Sequence, residues 1–269
     1  MSKLDLHSAV AVISGASSGI GLEIARLLCL KYGCRVVGLA RNEERLNAAA
    51  EAIGENFIPV SCDVTSESDR ARLLDFLEKN GIKPDILINN AGILPPFKAY
   101  SPETQGELIR VTNVNYLAHT EMCALFLPLL LSSERGAIVN IASSAALAPL
   151  PGTAAYSASK SALLAFTEAI ALEYKGALTV CCVCPGMTAT SLFSSHAGAE
   201  IIDRFATKPH SAAKKILRGL KRGRKKIVIG ADAHLMSAGN RLFGIGALKL
   251  FAFFIKIVKQ PMFKNTFYK

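Results

Sequence analysis

Tyr156 and Lys160 stand four residues apart in Tyr156-Ser157-Ala158-Ser159-Lys160, within a stretch of small and apolar residues of high helix propensity. On a helix this spacing puts the phenol and the ammonium on one face. A tyrosine alone loses its proton at about pH 10 and is a poor base at neutral pH; a fixed cation beside it favours the phenolate and lowers that value. The pair suits proton exchange with a substrate oxygen, although the same spacing also arises by chance. A second candidate lies near the start, in Ser14-Gly15-Ala16-Ser17-Ser18-Gly19-Ile20-Gly21. Glycines there let backbone amides and a helix N-terminus approach a pyrophosphate. An ordinary tight turn would use the same glycines, and what favours a dinucleotide is their place at the first strand-to-helix junction.

A third candidate is Arg41, which follows Ala40 where dinucleotide folds that prefer NAD place a carboxylate against the ribose 2′-hydroxyl. No acid stands there, and a guanidinium fork instead matches a 2′-phosphate, which favours NADP over NAD. The alternative is that Arg41 caps or solvates the following helix beside Glu43 and Glu44.

Short β-rich apolar runs alternating with longer segments of helical period would position these residues, as in a parallel sheet with crossover helices. The expected strands are Ala9–Ser14, Arg35–Ala40, Phe57–Cys62, Ile86–Asn89, Ala137–Ile141, Leu178–Cys184 and Ile227–Gly230. The expected helices are Ile20–Tyr32, Glu43–Ile53, Glu67–Asn80, Glu103–Ser132 (opened by Ser101 and Pro102), Ala155–Tyr174 and Ser211–Lys221. The fold class is α/β, a doubly wound Rossmann fold with a seven-stranded parallel sheet and a basic, apolar C-terminal extension. Residues 1–232 form the dinucleotide-binding and catalytic domain, and 233–269 an extension that is not an independent domain. Pro185 to Pro209 reads as a loop of lid or binding type, with Met187, Leu192, Phe193 and Phe205 as apolar surface for a substrate.

The motifs in this order resemble the short-chain dehydrogenase/reductase family. Ser14 to Gly21 is similar to its TGxxxGxG turn and Asn89-Asn90-Ala91-Gly92 to its NNAG. Val139-Asn140-Ile141-Ala142-Ser143 precedes Tyr156 by the family's interval, and Cys184-Pro185-Gly186 falls where the family has its PG motif. The resemblance covers residues 7–230 and departs at Ser14, Ala118 and Ala146, each still small. It implies Tyr156 as acid/base, Lys160 holding the nicotinamide ribose and depressing the tyrosine pKa, Ser143 bonding the reacting oxygen, and Asn115 holding a water behind Lys160. Asn113 is the rival of Asn115, but two residues apart on a helix means roughly opposite faces. For the cofactor it implies Gly15, Ser17, Ser18, Gly19, Ile20 and Gly21 at the pyrophosphate, and Asp63 with Val64 at the adenine. It adds Asn90 on the adenosine side, and Pro185, Gly186, Thr188 and Thr190 near the nicotinamide. The implied reaction moves a hydride between NADP(H) and an apolar secondary alcohol or ketone of hydroxysteroid, retinoid-like or 3-oxoacyl type, in a homo-oligomer. Two other readings are a non-catalytic NADP-binding scaffold and a membrane-surface protein.

The net charge of +10 is uneven: residues 1–203 hold 15 Lys and Arg against 20 acids, and residues 204–269 hold 16 against Asp232 alone. Such a block invites an anionic partner or simply solubilises a face. From Ala233 to Lys269 there is no acid, and aromatic and aliphatic residues are interleaved with Arg241, Lys249, Lys256 and Lys259. The apolar core of that tail is about 14 residues, short of the roughly 20 of a membrane span. It is expected to make a peripheral contact with anionic lipid, to close over an apolar substrate, or to pack on the domain or at a subunit contact. The basic run Lys214 to Lys226 lacks interleaved aromatics, so nucleic acid is not an expected partner. Seven cysteines and no charged lead with an apolar run at Met1 to His7 read as cytoplasmic. Cys181 and Cys184 point to opposite faces of a strand, and His7, His119, His196, His210 and His234 are scattered, so no metal site is expected.

Overall fold

Strands buried on both faces must be apolar at nearly every position, and the runs Val10–Ser14 (β1), Arg35–Ala40 (β2) and Ala137–Ile141 (β5) meet that demand. With Phe57–Ser61 (β3), Ile86–Asn89 (β4), Thr179–Pro185 (β6) and Lys226–Ile229 (β7) they form one parallel seven-stranded sheet in the order β3-β2-β1-β4-β5-β6-β7. The computed structural model describes residues 4–193, 206–258 and 263–267. Strand limits differ from the sequence reading by a residue at several ends; Gly230, for example, has φ of 105° and turns the chain out of β7.

Alternate residues of each strand feed two core layers. Ile13, Val36, Val139 and Val183 pack under Gly19–Tyr32 (α1), Glu43–Ile53 (α2) and Pro209–Lys221 (α7). Val12, Val37, Ile138 and Val180 face Glu67–Lys79 (α3), Ala118–Leu131 (α5) and Ala154–Glu173 (α6). Asn42 caps α2 by accepting from the Arg45 N–H, and Ser66 caps α3 by accepting from the Asp69 N–H. No side chain caps α1, whose Ser18 is extended.

One expected helix is interrupted. In place of a continuous Glu103–Ser132 there is a 3-10 turn at Pro102–Thr104, then Gln105–Thr112 (α4), a π turn at Asn113–Leu117, and α5. Within the π turn the Ala118 N–H reaches back to the Asn113 carbonyl, so one extra residue is accommodated. By length and composition Pro102–Leu131 could cross a membrane, but Met122, Phe126 and Leu130 are buried in the core. The tail is likewise broken: Gly244, at φ of 50°, separates Ala231–Phe243 (α8) from Ile245–Val258 (α9).

The chain lays β1, β2 and β3 in one direction from the centre and β4 to β7 in the other. Such a reversal opens a crevice at the carboxyl ends of the central strands, where ligands of doubly wound folds bind.

Candidate active site

Residues at the end of β5 and the start of α6 face one another across this crevice. Ser143, which follows β5, caps a 3-10 turn at Ser144–Ala146 by accepting from the Ala145 N–H at 3.2 Å, and its hydroxyl donates to the Tyr156 phenol. The Tyr156 ring packs with Leu94 and Ala145. Burial pushes the phenol above its ordinary value, and the Ser143 hydrogen bond opposes that. This corrects the expectation that Lys160 depresses it. The Lys160 ammonium, on the same face of α6 and 4% exposed, donates to the Ile141 carbonyl at 2.9 Å. Burial lowers its own pKa from 10.5 to about 8.

The π turn carries Asn115 into the interior and leaves Asn113 exposed, as the choice between them anticipated. The Asn115 Oδ1 accepts from the Ile93 N–H at 2.8 Å, and its Nδ2 donates to the Ile93 carbonyl at 2.9 Å and to Ser159 Oγ at 3.3 Å. Its amide thereby ties the π turn to the loop after β4 and to α6. Gly92 brings the loop close to both groups: a Cβ there would stand 3.3 Å from Asn115 Oδ1, a tight contact, and 3.5 Å from Lys160 Nζ. Below lies a buried chain in which Asn89 donates to Asn140 and Asn140 donates to Thr167, each at 2.9 Å. His119 Nε2 is 2.7 Å from the Ala91 carbonyl, and burial first, then the Lys160 charge, lowers its pKa to about 3. His119 is a neutral core residue.

Ser143, Tyr156 and Lys160 line a cleft of about 590 Å³. Gly15, Ser18, Gly19 and Ile20 enter it from the turn before α1, Asn90 from the end of β4, and Tyr156 and Lys160 from α6. Pro185, Gly186, Thr188 and Thr190 complete it from the loop after β6. The turn fits a pyrophosphate on two counts. Gly15 and Gly19 have φ of 66° and 57°, and a Cβ on Gly21 would sit 2.4 Å from the Gly15 carbonyl oxygen; the uncapped start of α1 also leaves its first amides for an anion. Ser14 Oγ holds this turn to β4 by accepting from the N–H groups of Asn90 and Ala91 at 2.9 and 3.0 Å.

Ser17, Gly21, Arg41, Asp63 and Val64 do not line the cleft. Arg41 and Asp63 follow β2 and β3, with Arg41 Nη1 3.7 Å from Asp63 Oδ2 and its side chain 69% exposed. The Val64 side chain is buried among Leu73 and Leu77, so only its backbone faces outward.

The far end of the cleft is apolar, with Leu94, Phe97, Leu150, Met187 and Leu192. Phe205, His196, Lys259 and the side chain of Phe193 lie outside the described residues. Four residues that the sequence reading did not assign to the site contribute to it. Phe263 lines the cleft and stacks on Phe97 with centroids 5.5 Å apart. Asn265 accepts from the Ala99 N–H at 2.8 Å, and Thr266 packs against Gly152, bringing the chain end to this rim. Asp232 accepts from the Met187 N–H at 2.7 Å and covers Gly186, where a Cβ would meet its carboxylate at 2.2 Å. Its isolation among sixteen basic residues was the visible signal. Cys182 and Cys184 share one side of β6 and Cys181 takes the other, all as free thiols.

A family model described as short chain dehydrogenase matches residues 9–200. The 2-(R)-hydroxypropyl-CoM dehydrogenase of Xanthobacter autotrophicus is 37% identical over 195 residues, which span 69% of this chain and 76% of that one. The 3beta-hydroxysteroid dehydrogenase of Mediterraneibacter gnavus is 35% identical over 203 residues, 73% of this chain and 72% of that one. In fold alone, the chain is similar to a ligand-free aldohexose dehydrogenase of Thermoplasma acidophilum, with a TM-score of 0.72 and 24% identity over 85% of this chain and 94% of the other.

Proposed function

The chain belongs to the short-chain dehydrogenase family, and we propose that it is an NADP(H)-dependent oxidoreductase interconverting an apolar secondary alcohol and its ketone. The observation that carries this reading is the buried Tyr156 phenol, hydrogen-bonded by Ser143 and one helical turn from a buried lysine, on the wall of the cleft. A bound nicotinamide dinucleotide supplies or accepts the hydride. The chain's own residues manage the proton. Because burial keeps the phenol protonated at neutral pH, Tyr156 gives its proton to the carbonyl oxygen in the reductive direction and takes it back in the oxidative one. Ser143 donates to the same oxygen as negative charge develops on it. Lys160 is anchored through the Ile141 carbonyl and offers its remaining N–H donors to the ribose hydroxyls. Asn115 is a positioning residue that fixes Ile93, and with it the loop beside Lys160.

Gly15, Ser18, Gly19 and Ile20, with the start of α1, would hold the pyrophosphate, and Thr188 and Thr190 the nicotinamide side. The NADP preference rests on Arg41, which is solvent-facing at the end of β2, where the chain carries Ala40 and Arg41 in place of an acid. A 2′-phosphate would share that guanidinium with Asp63. The apolar class of substrate rests on the wall of Leu94, Phe97, Leu150, Leu192 and Phe263. Hydroxysteroids, retinoid-like alcohols and 3-oxoacyl chains all suit such a wall.

The test follows NADPH and NADH absorbance with a panel of apolar ketones and the corresponding alcohols, beside Tyr156→Phe. Turnover that prefers NADPH and disappears in the variant is the expected result. A protein that binds NADPH yet turns over no member of the panel would instead be a scaffold.

A further inference from the structure

The outer face of the α8 and α9 hairpin has no protein partner among the described residues that would account for its composition. Of the fifteen large apolar side chains that these residues expose, eight fall on the hairpin: Leu235, Leu242, Phe243, Ile245, Leu250, Phe253, Phe254 and Ile257, each more than half exposed. Soluble monomers seldom leave so many together. The inner face is well anchored. Asn240 Nδ2 donates to the Leu147 carbonyl at 2.8 Å, Ala233 and Ala247 are buried, and Gly239 lets the Phe251 ring approach to 3.1 Å of where a Cβ would be. The hairpin is therefore a fixed element of the fold that presents an apolar outer surface.

Helical spacing orders that surface. Leu250, Phe253, Phe254 and Ile257 recur at intervals of three and four and form one stripe along α9, while Ala247, Leu248, Phe251 and Ile255 turn inward. Lys249 and Lys256, seven residues apart and exposed, border the stripe, and Arg241 is exposed near the turn where Leu242, Phe243 and Ile245 form the tip. No acid lies between Ala233 and Lys269. Two copies of this face would bring like charges together with no acid of the tail to pair them, whereas an anionic lipid surface complements both the cations and the apolar stripe. With 14 residues, α9 is only about 21 Å long, short of a bilayer's hydrocarbon thickness of about 30 Å.

We propose that this hairpin docks in the plane of an anionic bilayer leaflet, with its tip and the α9 stripe below the headgroups and Arg241, Lys249 and Lys256 against the lipid phosphates. The docked face adjoins the cleft, because five chain steps separate Val258 at the end of α9 from Phe263 on the cleft wall, and these span at most about 18 Å. An apolar substrate dissolved in the leaflet would then be close to the cleft. That consequence rests on the proposed oxidoreductase reading; the docking does not.

The test is co-sedimentation of the full chain with vesicles of phosphatidylcholine and phosphatidylserine, against phosphatidylcholine alone, at low and high salt. Pelleting on the mixed vesicles that weakens with salt is expected. Replacing Arg241, Lys249 and Lys256 together by Gln should lower the partition coefficient about a hundredfold, at about fivefold per basic residue. Phe253→Ser with Phe254→Ser should abolish pelleting, with NADPH binding, melting temperature and gel-filtration volume unchanged. The proposal is overturned if the full chain stays in the supernatant with both vesicles, or if neither set of substitutions alters pelleting. It also falls if the serine variant converts a dimer to a monomer while no vesicle binding exists, because the face would then join two copies. Pelleting without turnover of any ketone would leave the docking in place and remove the catalytic reading alone.

Discussion

Replacing Lys160 by Met should abolish turnover and change the stability of the fold in a way that depends on pH. Burial lowers the folded-state pKa of this ammonium from 10.5 to about 8, so the folded chain holds the proton less tightly than the unfolded one by about 3.4 kcal/mol. At neutral pH both states carry the proton and the whole penalty is present. As pH rises from about 8 toward 10.5, the folded chain releases the proton while the unfolded chain keeps it. The wild type should therefore gain about 1.4 kcal/mol per pH unit, until the penalty is gone above the unfolded value. Methionine has no such dependence. It does leave the Ile141 carbonyl without its 2.9 Å donor, a loss of about 1–3 kcal/mol that is nearly independent of pH. At pH 7 the variant should thus be equal to the wild type or more stable by up to about 2 kcal/mol. Between pH 7 and 10.5 the stability difference should move by about 3 kcal/mol in favour of the wild type. His119, held to about 3, stays neutral over this range, and Tyr156 is common to both proteins. Urea unfolding of both proteins without cofactor, at half-unit steps of pH, measures the difference. A difference constant to within about 0.5 kcal/mol would show that the ammonium is not desolvated as the structure has it.

Tyr156→Phe should lower kcat by about 10² to 10⁴ and leave cofactor affinity and melting temperature nearly unchanged, read by stopped-flow and calorimetry; near-normal turnover would remove the phenol from the reaction. Arg41→Ser should raise the KM for NADPH and leave that for NADH unchanged, whereas equal kcat/KM for the two in the unmodified chain would sink the 2′-phosphate assignment. Gly21→Ala should destabilise the fold by about 1–3 kcal/mol and abolish NADPH binding, because its Cβ would meet the Gly15 carbonyl at 2.4 Å and Asn90 Nδ2 at 2.5 Å. Gly106→Ala, in α4 with nothing within 4 Å, is the matched control and should stabilise by about 0.5–1 kcal/mol. Asp232→Ala frees the Met187 N–H and uncovers Gly186; substrate and cofactor KM should rise more than kcat falls, and unchanged kinetics would make Asp232 merely a helix-end acid.

The sheet was legible because its chemistry is local. A strand buried on both faces needs an unbroken apolar run, and residues such as Val36, Val37, Leu39 and Ala40 meet that need without reference to anything distant. The glycine turn was legible for a related reason: only residues without a Cβ fit between the Gly15 carbonyl and Asn90. The π turn was not legible. One extra residue at Asn113–Leu117 leaves the apolar pattern on either side intact, since Val111 and Ala118 are both buried, and period counting registers a helix running through. Tyr156 and Lys160 were placed correctly on one face, but their electrostatics depend on burial, which spacing does not report. The cation thought to lower the phenol is itself desolvated and turned to Ile141.

The tail shows where composition stops being informative. Its basic and apolar residues suited packing on the domain or a subunit, closure over a substrate, or contact with lipid, and composition alone made them alternatives. Different residues of the fold are available to each. Ala233, Asn240 and Ala247 face inward, and Phe263 and Thr266 reach the cleft rim, so truncation after Gly230 should cost stability and strip one wall of the cleft whatever the outer face does. Leu250, Phe253, Phe254 and Ile257 contribute little to that packing because they are more than half exposed. Their replacement by serine should therefore separate the two roles, where deletion cannot. A serine variant that melts as early as the truncated chain would mean that the stripe is covered in the folded protein, and the division of the tail into an inner and an outer face would be wrong.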